Sequence, residues 1–326
     1  MLAFLHSALV FLAFTGASQA TIHLKQLYQF PEPAAWVENI AIRPNGHLLL
    51  TTFDNASLYS LNPDSYNALP KLVAQLPHAT VLSGIAEIAP DVFAFAGGVL
   101  NMTDFTFEHN SGQIAVIDFA GCGEDKPVPI QTITKVPAAK LLNGLVALPE
   151  RPGTVLSPDS KTGTIYRVDT FTGHVDVAFQ DDLLAPGSDP KHVGLGVNGM
   201  KLHGDDLYMT NSAGQFVARV KINSVGDRVG DLEIVAQLPS NSQLVPDDLA
   251  IAEDGTAFVA VHPDAVAIIT PQGRLSKLVG GPGKSNVTLD TPSSAALSRD
   301  EKTLFVVTGG TRKPGGLGGQ VVRISL

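Results

Sequence analysis

The 326-residue chain is 44% hydrophobic and 16% charged, so it can bury a sizeable core and lacks the composition of a disordered protein. Its net charge of -9 and pI near 5.4 argue against nucleic acid or an anionic membrane as partner. The single cysteine, Cys122, excludes an intramolecular disulfide.

Residues 1–20 begin with an apolar stretch, Ala8 to Phe14, and end on small residues at Ser18 and Ala20. That is the pattern of a signal peptide, which places the mature chain from Thr21 onward, residues 21–326, as a single domain in the secretory pathway, secreted or held in a vesicle or vacuole. The sequons at Asn55, Asn101 and Asn286 agree with passage through that pathway and predict glycosylation there. No later segment reaches the ~18 apolar residues that a membrane span needs.

Ile22 to Phe30 alternates apolar and polar residues and reads as a strand, as does Gln320 to Leu326. Between them one syntax recurs, a small or polar residue followed by an apolar strand, a polar turn and a second strand. The marked residues are Glu38, Ser83, Asn143, Asn198, Asp247 and Ser293, at steps of 45, 60, 55, 49 and 46 residues. All-strand units repeating every ~40 to 50 residues predict a β-propeller, since a four-stranded blade cannot bury its faces without neighbours. The expected fold is therefore all-β, a six-bladed β-propeller closed by the N-terminal strand in the last blade.

Further strands are expected at residues 57–63, 112–119, 163–173, 216–223 and 265–273, as outer blade strands. Insertions at 101–112, 180–194 and 309–319 interrupt the rhythm, and loops of that length can wall a site.

In a propeller the innermost strands begin around one end of a channel, so the six marked residues should converge. Glu38, Asn143, Asn198 and Asp247 form an oxygen-only set that suits a hard cation such as Ca²⁺ or Mg²⁺ better than zinc. The plainer alternative is that Asn-Gly and Pro-Asp are turn formers that merely start a strand. Trp36, Phe95, Tyr208 and Phe216 would supply apolar walls or simply core. Ser293 and the insertion residue His192 join Trp36 and Tyr208 as expected substrate contacts, and His192 or His262 could serve as acid or base. No serine-hydrolase elbow is present.

Glu38 ahead of Arg43-Pro44-Asn45-Gly46, Asn143-Gly144-Leu145, Asn198-Gly199-Met200, Pro246-Asp247 and the last-blade stretch from Pro292 to Gly310 together resemble the gluconolactonase, senescence-marker-protein and strictosidine-synthase-like propellers. The resemblance implies Glu38, Asn198 and Asp247 as ligands of one divalent metal, Asn143 as a substrate or water-mediated contact, and Asp247 as a general base. The sugar-lactone branch usually carries an arginine where this chain has Leu141, so the implied substrate is less polar than a sugar acid; Asp248, where that branch has a glycine, adds a charge with no direction assigned to it.

The finer resemblance, carried by Gln29 to Thr51 and Gly196 to Ser212, is to fungal secondary-metabolism propellers. Some of these are hetero-Diels-Alderases, which join a quinone methide such as a tropolone derivative to a terpene alkene. It implies an enzyme acting on a small apolar natural product, with Asp247, Glu38 and Asn143 as catalytic groups and no cofactor needed for cyclisation. A metal-dependent lactone hydrolase and a non-catalytic binding propeller are the alternatives.

Overall fold

Six four-stranded antiparallel sheets follow one another along the chain in the computed structural model of the protein, which describes residues 22–326 except 34, 121–127, 189–193, 240–242, 282–284 and 312. The first strands of the six blades are Val37–Ile42, Val81–Ala89, Val146–Ala147, Val197–His203, Val245–Ile251 and Pro292–Leu297. The predicted outer strands appear as Ser57–Leu61, Gln113–Asp118, Thr164–Asp169, Phe216–Lys221 and Ala265–Ile269. The expected signal peptide and Cys122 lie outside the described residues.

Burial explains the strand order. Leu48–Thr52 and Thr154–Asp159, second strands of their blades, are buried at every position, whereas the outermost strands Lys71–Gln75 and Glu233–Gln237 are mostly exposed. A second strand is covered on both faces by neighbouring blades, so both of its faces must be apolar or internally bonded. Six apolar clusters result, one in each gap between adjacent blades.

The circle closes as expected. Leu24–Gln29 pairs antiparallel with Gln320–Ser325, Leu24 lying opposite Ile324 and Gln29 opposite Gln320. Leu24 is fully buried, within the cluster between the fifth and sixth blades. Leu24→Ala should therefore destabilise the fold by about 2–4 kcal/mol, seen as a lower urea midpoint with an unchanged slope. A variant indistinguishable from wild type would show that the first strand is not needed for closure.

A second system of bonds runs around the inner ends of the blades. Thr51 Oγ1 of the first blade donates to the Ser83 carbonyl of the second at 2.7 Å, and Ser83 Oγ donates to the Leu142 carbonyl at the start of the third at 2.8 Å. Gly144 N then donates to the Asn198 carbonyl at 3.2 Å, and Ser212 Oγ to the Pro246 carbonyl at 2.8 Å. Ser294 Oγ donates to Asp248 Oδ2 at 3.0 Å, and Ser293 Oγ to the Val37 carbonyl at 2.6 Å, which completes the ring.

Candidate active site

The marked residues do not precede their strands as loop residues; most lie within them, at breaks in register. Pairing shifts between Val37 and Asn39, Leu82 and Ile85, Val197 and Met200, Pro246 and Leu249, and Pro292 and Ser294. A bulge of this kind turns a side chain out of the sheet alternation. Here it lets the first residue of a pair face one end of the axis while the second packs onto the neighbouring blade.

That second position explains the glycines. A Cβ on Gly144 would stand 2.8 Å from the Asn198 carbonyl oxygen, and one on Gly199 would stand 2.1 Å from Asp248 Oδ1. Asn-Gly in this chain thus serves close approach of blades at the axis; neither glycine has a positive φ. Asp248, in the equivalent position of the fifth blade, points away from the cavity. Its carboxylate accepts from Lys201 Nζ at 3.0 and 2.9 Å, from Ser294 Oγ at 3.0 Å and from Leu249 N at 2.8 Å.

At the mouth, Glu38, Ser83, Asn143, Asn198 and Asp247 line one cavity of about 280 Å³. Trp36, Phe53, Phe105, Leu141, Leu195 and Val245 form most of its wall, and Ser212 and His262 complete it. The polar groups come from the first strands, their approaches and the ends of the second strands; the apolar ones come from the flanks of those strands and, in Phe105, from the 101–112 insertion. Leu141 is buried in this wall, so no cation stands where the sugar-lactone pattern has one.

Two polar pairs face each other across blades. Trp36 Nε1 donates to Glu38 Oε2, and the Trp36 ring stacks on Phe53 with centroids 6.0 Å apart at 16°. His262 Nε2 lies 3.0 Å from Asp247 Oδ2, and the edge-on His262 and Trp36 rings are 6.2 Å apart. Burial pushes the Asp247 carboxyl above the usual carboxylate range, with the Asp248 charge acting in the same direction; His262 and the Asn198 amide pull it back. A carboxyl so placed is poised to hold a proton or to face a positive charge.

The donor chemistry fits a divalent cation. Asn198 Nδ2 donates to Ser212 Oγ at 3.0 Å, but its buried Oδ1 has no hydrogen-bond partner. An orphaned amide oxygen beside a buried carboxylate is relieved by a hard cation. Among the described residues no three His, Cys, Asp or Glu side chains group to hold a metal, so such an ion would rest on Glu38, Asp247 and the Asn198 oxygen.

Several expected contacts lie elsewhere. Tyr208 is buried in the cluster between the fourth and fifth blades, because its strand directs Leu207 and Met209 to one face and Tyr208 to the other. Ser293 is fully buried, its hydroxyl committed to the Val37 and Val307 carbonyls. Phe95 and Phe216 are buried as well, and none of these four lines the cavity. His192 lies outside the described residues. His262, named from the sequence as an acid or base, lies on the cavity, and of the residues not named Phe53 and Ser212 had a legible signal: each ends or follows a second strand, and hairpin register sets that end opposite the start of the first strand, as Val245 opposite His262. Phe105 and Leu195 had none, since each lies in or beside an insertion without the repeat.

No family model matches the chain. It is 28% identical over 303 residues, covering 87% of this chain and 85% of the relative, to a Phoma sp. protein whose name proposes a hetero-Diels-Alderase. Among solved structures it is similar to a gluconolactonase from Xanthomonas campestris, with 14% identity, TM-score 0.66, and 97% and 94% of the two chains covered. It is also similar to regucalcin, a calcium-binding protein from Agrobacterium tumefaciens, with 16% identity, TM-score 0.62, and 92% and 94% covered. The two structural likenesses are of fold, and they match the six-bladed propeller found here. The relative's name and the structural likenesses thus agree with the resemblance read from the sequence, the latter at the level of fold.

Proposed function

We propose that this protein is a cyclase of the hetero-Diels-Alder type, joining a heterodiene such as a tropolone-derived quinone methide to the alkene of a terpene inside the axial cavity. One observation carries the reading: the cavity is walled largely by Trp36, Phe53, Phe105, Leu141, Leu195 and Val245, with a few polar groups from the starts of the blades among them. Likeness to a relative with a name of that kind supports it.

The reaction asks little of the protein's chemistry. The heterodiene oxygen bonds to one alkene carbon and the far end of the heterodiene bonds to the other. Two σ bonds replace two π bonds, and nothing leaves. The apolar walls hold the partners in a near-attack pose and keep water from the reactive heterodiene. Negative charge builds on the heterodiene oxygen as the bonds form. The Asn143 amide N–H and the His262 ring, both on the cavity, are donors that can meet it. Asp247 holds the His262 ring in place through Nε2, and Glu38 does the same for Trp36. A divalent cation on Glu38, Asn198 and Asp247 would supply Lewis-acid polarisation of the same oxygen.

Lactone hydrolysis is the second reading, favoured by the Asp247–His262 pair, which resembles a general-base arrangement. The two separate in one experiment. Purified protein is given a generated quinone methide with a terpene alkene, or an apolar δ-lactone, each before and after chelation. Adduct formation with one stereochemical outcome, retained in chelator at more than a tenth of its rate, is expected. Lactone turnover abolished by chelator, with no adduct above the uncatalysed background, would replace the cyclase by the hydrolase.

The same proposal includes the secretory route, with a signal peptide removed after Ala20. Asn55, Asn101 and Asn286 are all exposed. Asn286 Nδ2, however, donates to the Leu24 carbonyl at 2.7 Å, so a glycan there would compete with a bond that fastens the closing strand. Asn55 and Asn101 are the better acceptors.

A further inference from the structure

We infer that Phe105 is the residue that selects the apolar reactant by size. The inference rests on the reading of this cavity as a site for apolar molecules, and adds which side chain sets its limit.

Phe105 reaches the cavity from an insertion that the propeller itself does not need. In the second blade a small hairpin, Leu100–Asn101 with Thr106–Phe107, stands between the second and third strands. Its base is fastened to the blade: Leu100 N donates to Thr80 Oγ1 at 2.8 Å, Phe107 N to the Lys140 carbonyl at 2.6 Å, and Glu108 N to the Val99 carbonyl at 2.8 Å. The Phe107 ring lies against Gly98, where any Cβ would come within 3.0 Å of it.

The tip is equally defined. Phe105 N donates to the Asn101 carbonyl at 2.9 Å, and the Asp104 carboxylate accepts from both Thr106 N at 3.1 Å and Thr106 Oγ1 at 2.7 Å. These bonds hold Phe105 at a φ of 53°, in the left-handed region that a bulky residue seldom adopts. A phenylalanine kept there against its preference needs a reason, and its ring supplies one. With Phe53 and Leu195 it packs on the cluster that contains Leu141, so residues of four blades meet as one apolar wall. Phe53, Leu141 and Leu195 flank the blades' own strands; Phe105 is the member contributed from outside the repeat. Shortening it enlarges the cavity and removes none of its polar groups.

The readout is built in. Trp36 is the only tryptophan of the chain and lines the same cavity, so its fluorescence reports occupancy without any reaction. Wild type, Phe105→Ala and Phe105→Gly are titrated with limonene, a ten-carbon hydrocarbon, and with the bulkier fifteen-carbon β-caryophyllene. Glycine is at home at positive φ, so the second variant guards against a folding defect in the first. The expected result is a reversal of preference: affinity for β-caryophyllene rises about tenfold in both variants, while that for limonene falls or stays level. Equal changes for the two hydrocarbons, or none, would reduce Phe105 to a structural residue and overturn the inference while leaving the cyclase reading intact. Failure of wild type to bind either hydrocarbon would sink both.

Discussion

Asp247→Ala is expected to lower the cyclisation rate by about 10²- to 10³-fold, the range found when one preorganised electrostatic group is removed from a site. Asp247 fixes His262 through a 3.0 Å contact and stands beside Asn198, so its loss frees the ring and removes one of the two carboxylates on the cavity. The effect on stability should run the other way in Asp247→Asn. Burial raises the Asp247 carboxyl above its ordinary value, so its contribution to stability is fully present below the unfolded value near ~4 and is lost as pH rises through the folded value. Asparagine cannot ionise and can still accept from His262. At pH 7 the variant should melt at or above wild type, and the difference should vanish near pH 4. A variant that melts lower at pH 7 but keeps its rate would deny Asp247 the role given to it.

A loss of stability as large as that of Leu24→Ala is expected from Lys201→Met. Lys201 and Asp248 form an ion pair with side chains 27% and 3% exposed, beneath the cavity and across two blades. Removing the ammonium strands a carboxylate that retains only Ser294 Oγ and Leu249 N, a loss of about 3 kcal/mol, the lower end for a buried pair because Lys201 itself is partly exposed. Adding Asp248→Asn to Lys201→Met removes the stranded charge and should return most of that loss. Thermal unfolding of the two variants reads the difference directly. If the single variant melts like wild type, the Asp248 charge must be balanced by something other than Lys201.

The propeller was legible because its signal repeats. Six polar residues in phase before apolar runs imply equivalent positions, and the clustering of Glu38, Asn143, Asn198 and Asp247 on one cavity follows from that phase. Individual residues were less legible, for reasons the bulges make plain. Ser293 shares the phase of Asp247 and of Ser83, yet it is fully buried with its hydroxyl on the Val37 carbonyl and does not line the cavity, whereas Ser83, similarly bonded to the Leu142 carbonyl, does. The glycines after Asn143 and Asn198 looked like turn residues because sequence carries no sign of a neighbouring blade 2–3 Å from an absent Cβ. Tyr208 lost its expected place through strand alternation, which is readable only once register is known. His262, already a candidate acid or base, meets its aspartate through the same register, fifteen residues away. Phe105 depends on an insertion whose fold no repeat predicts.

The pairing of Leu24–Gln29 with Gln320–Ser325 also governs when the finished cavity can exist. During synthesis the early strand must wait, unpaired, until almost three hundred further residues have left the ribosome. Contacts of such separation form slowly, and every blade before the last is assembled on an open arc. The cavity draws on residues from Trp36 to His262, yet its rim is drawn tight only when the final strand arrives. Nascent or truncated chains should therefore carry no partial activity, and the newborn protein should lean on chaperones until the circle shuts.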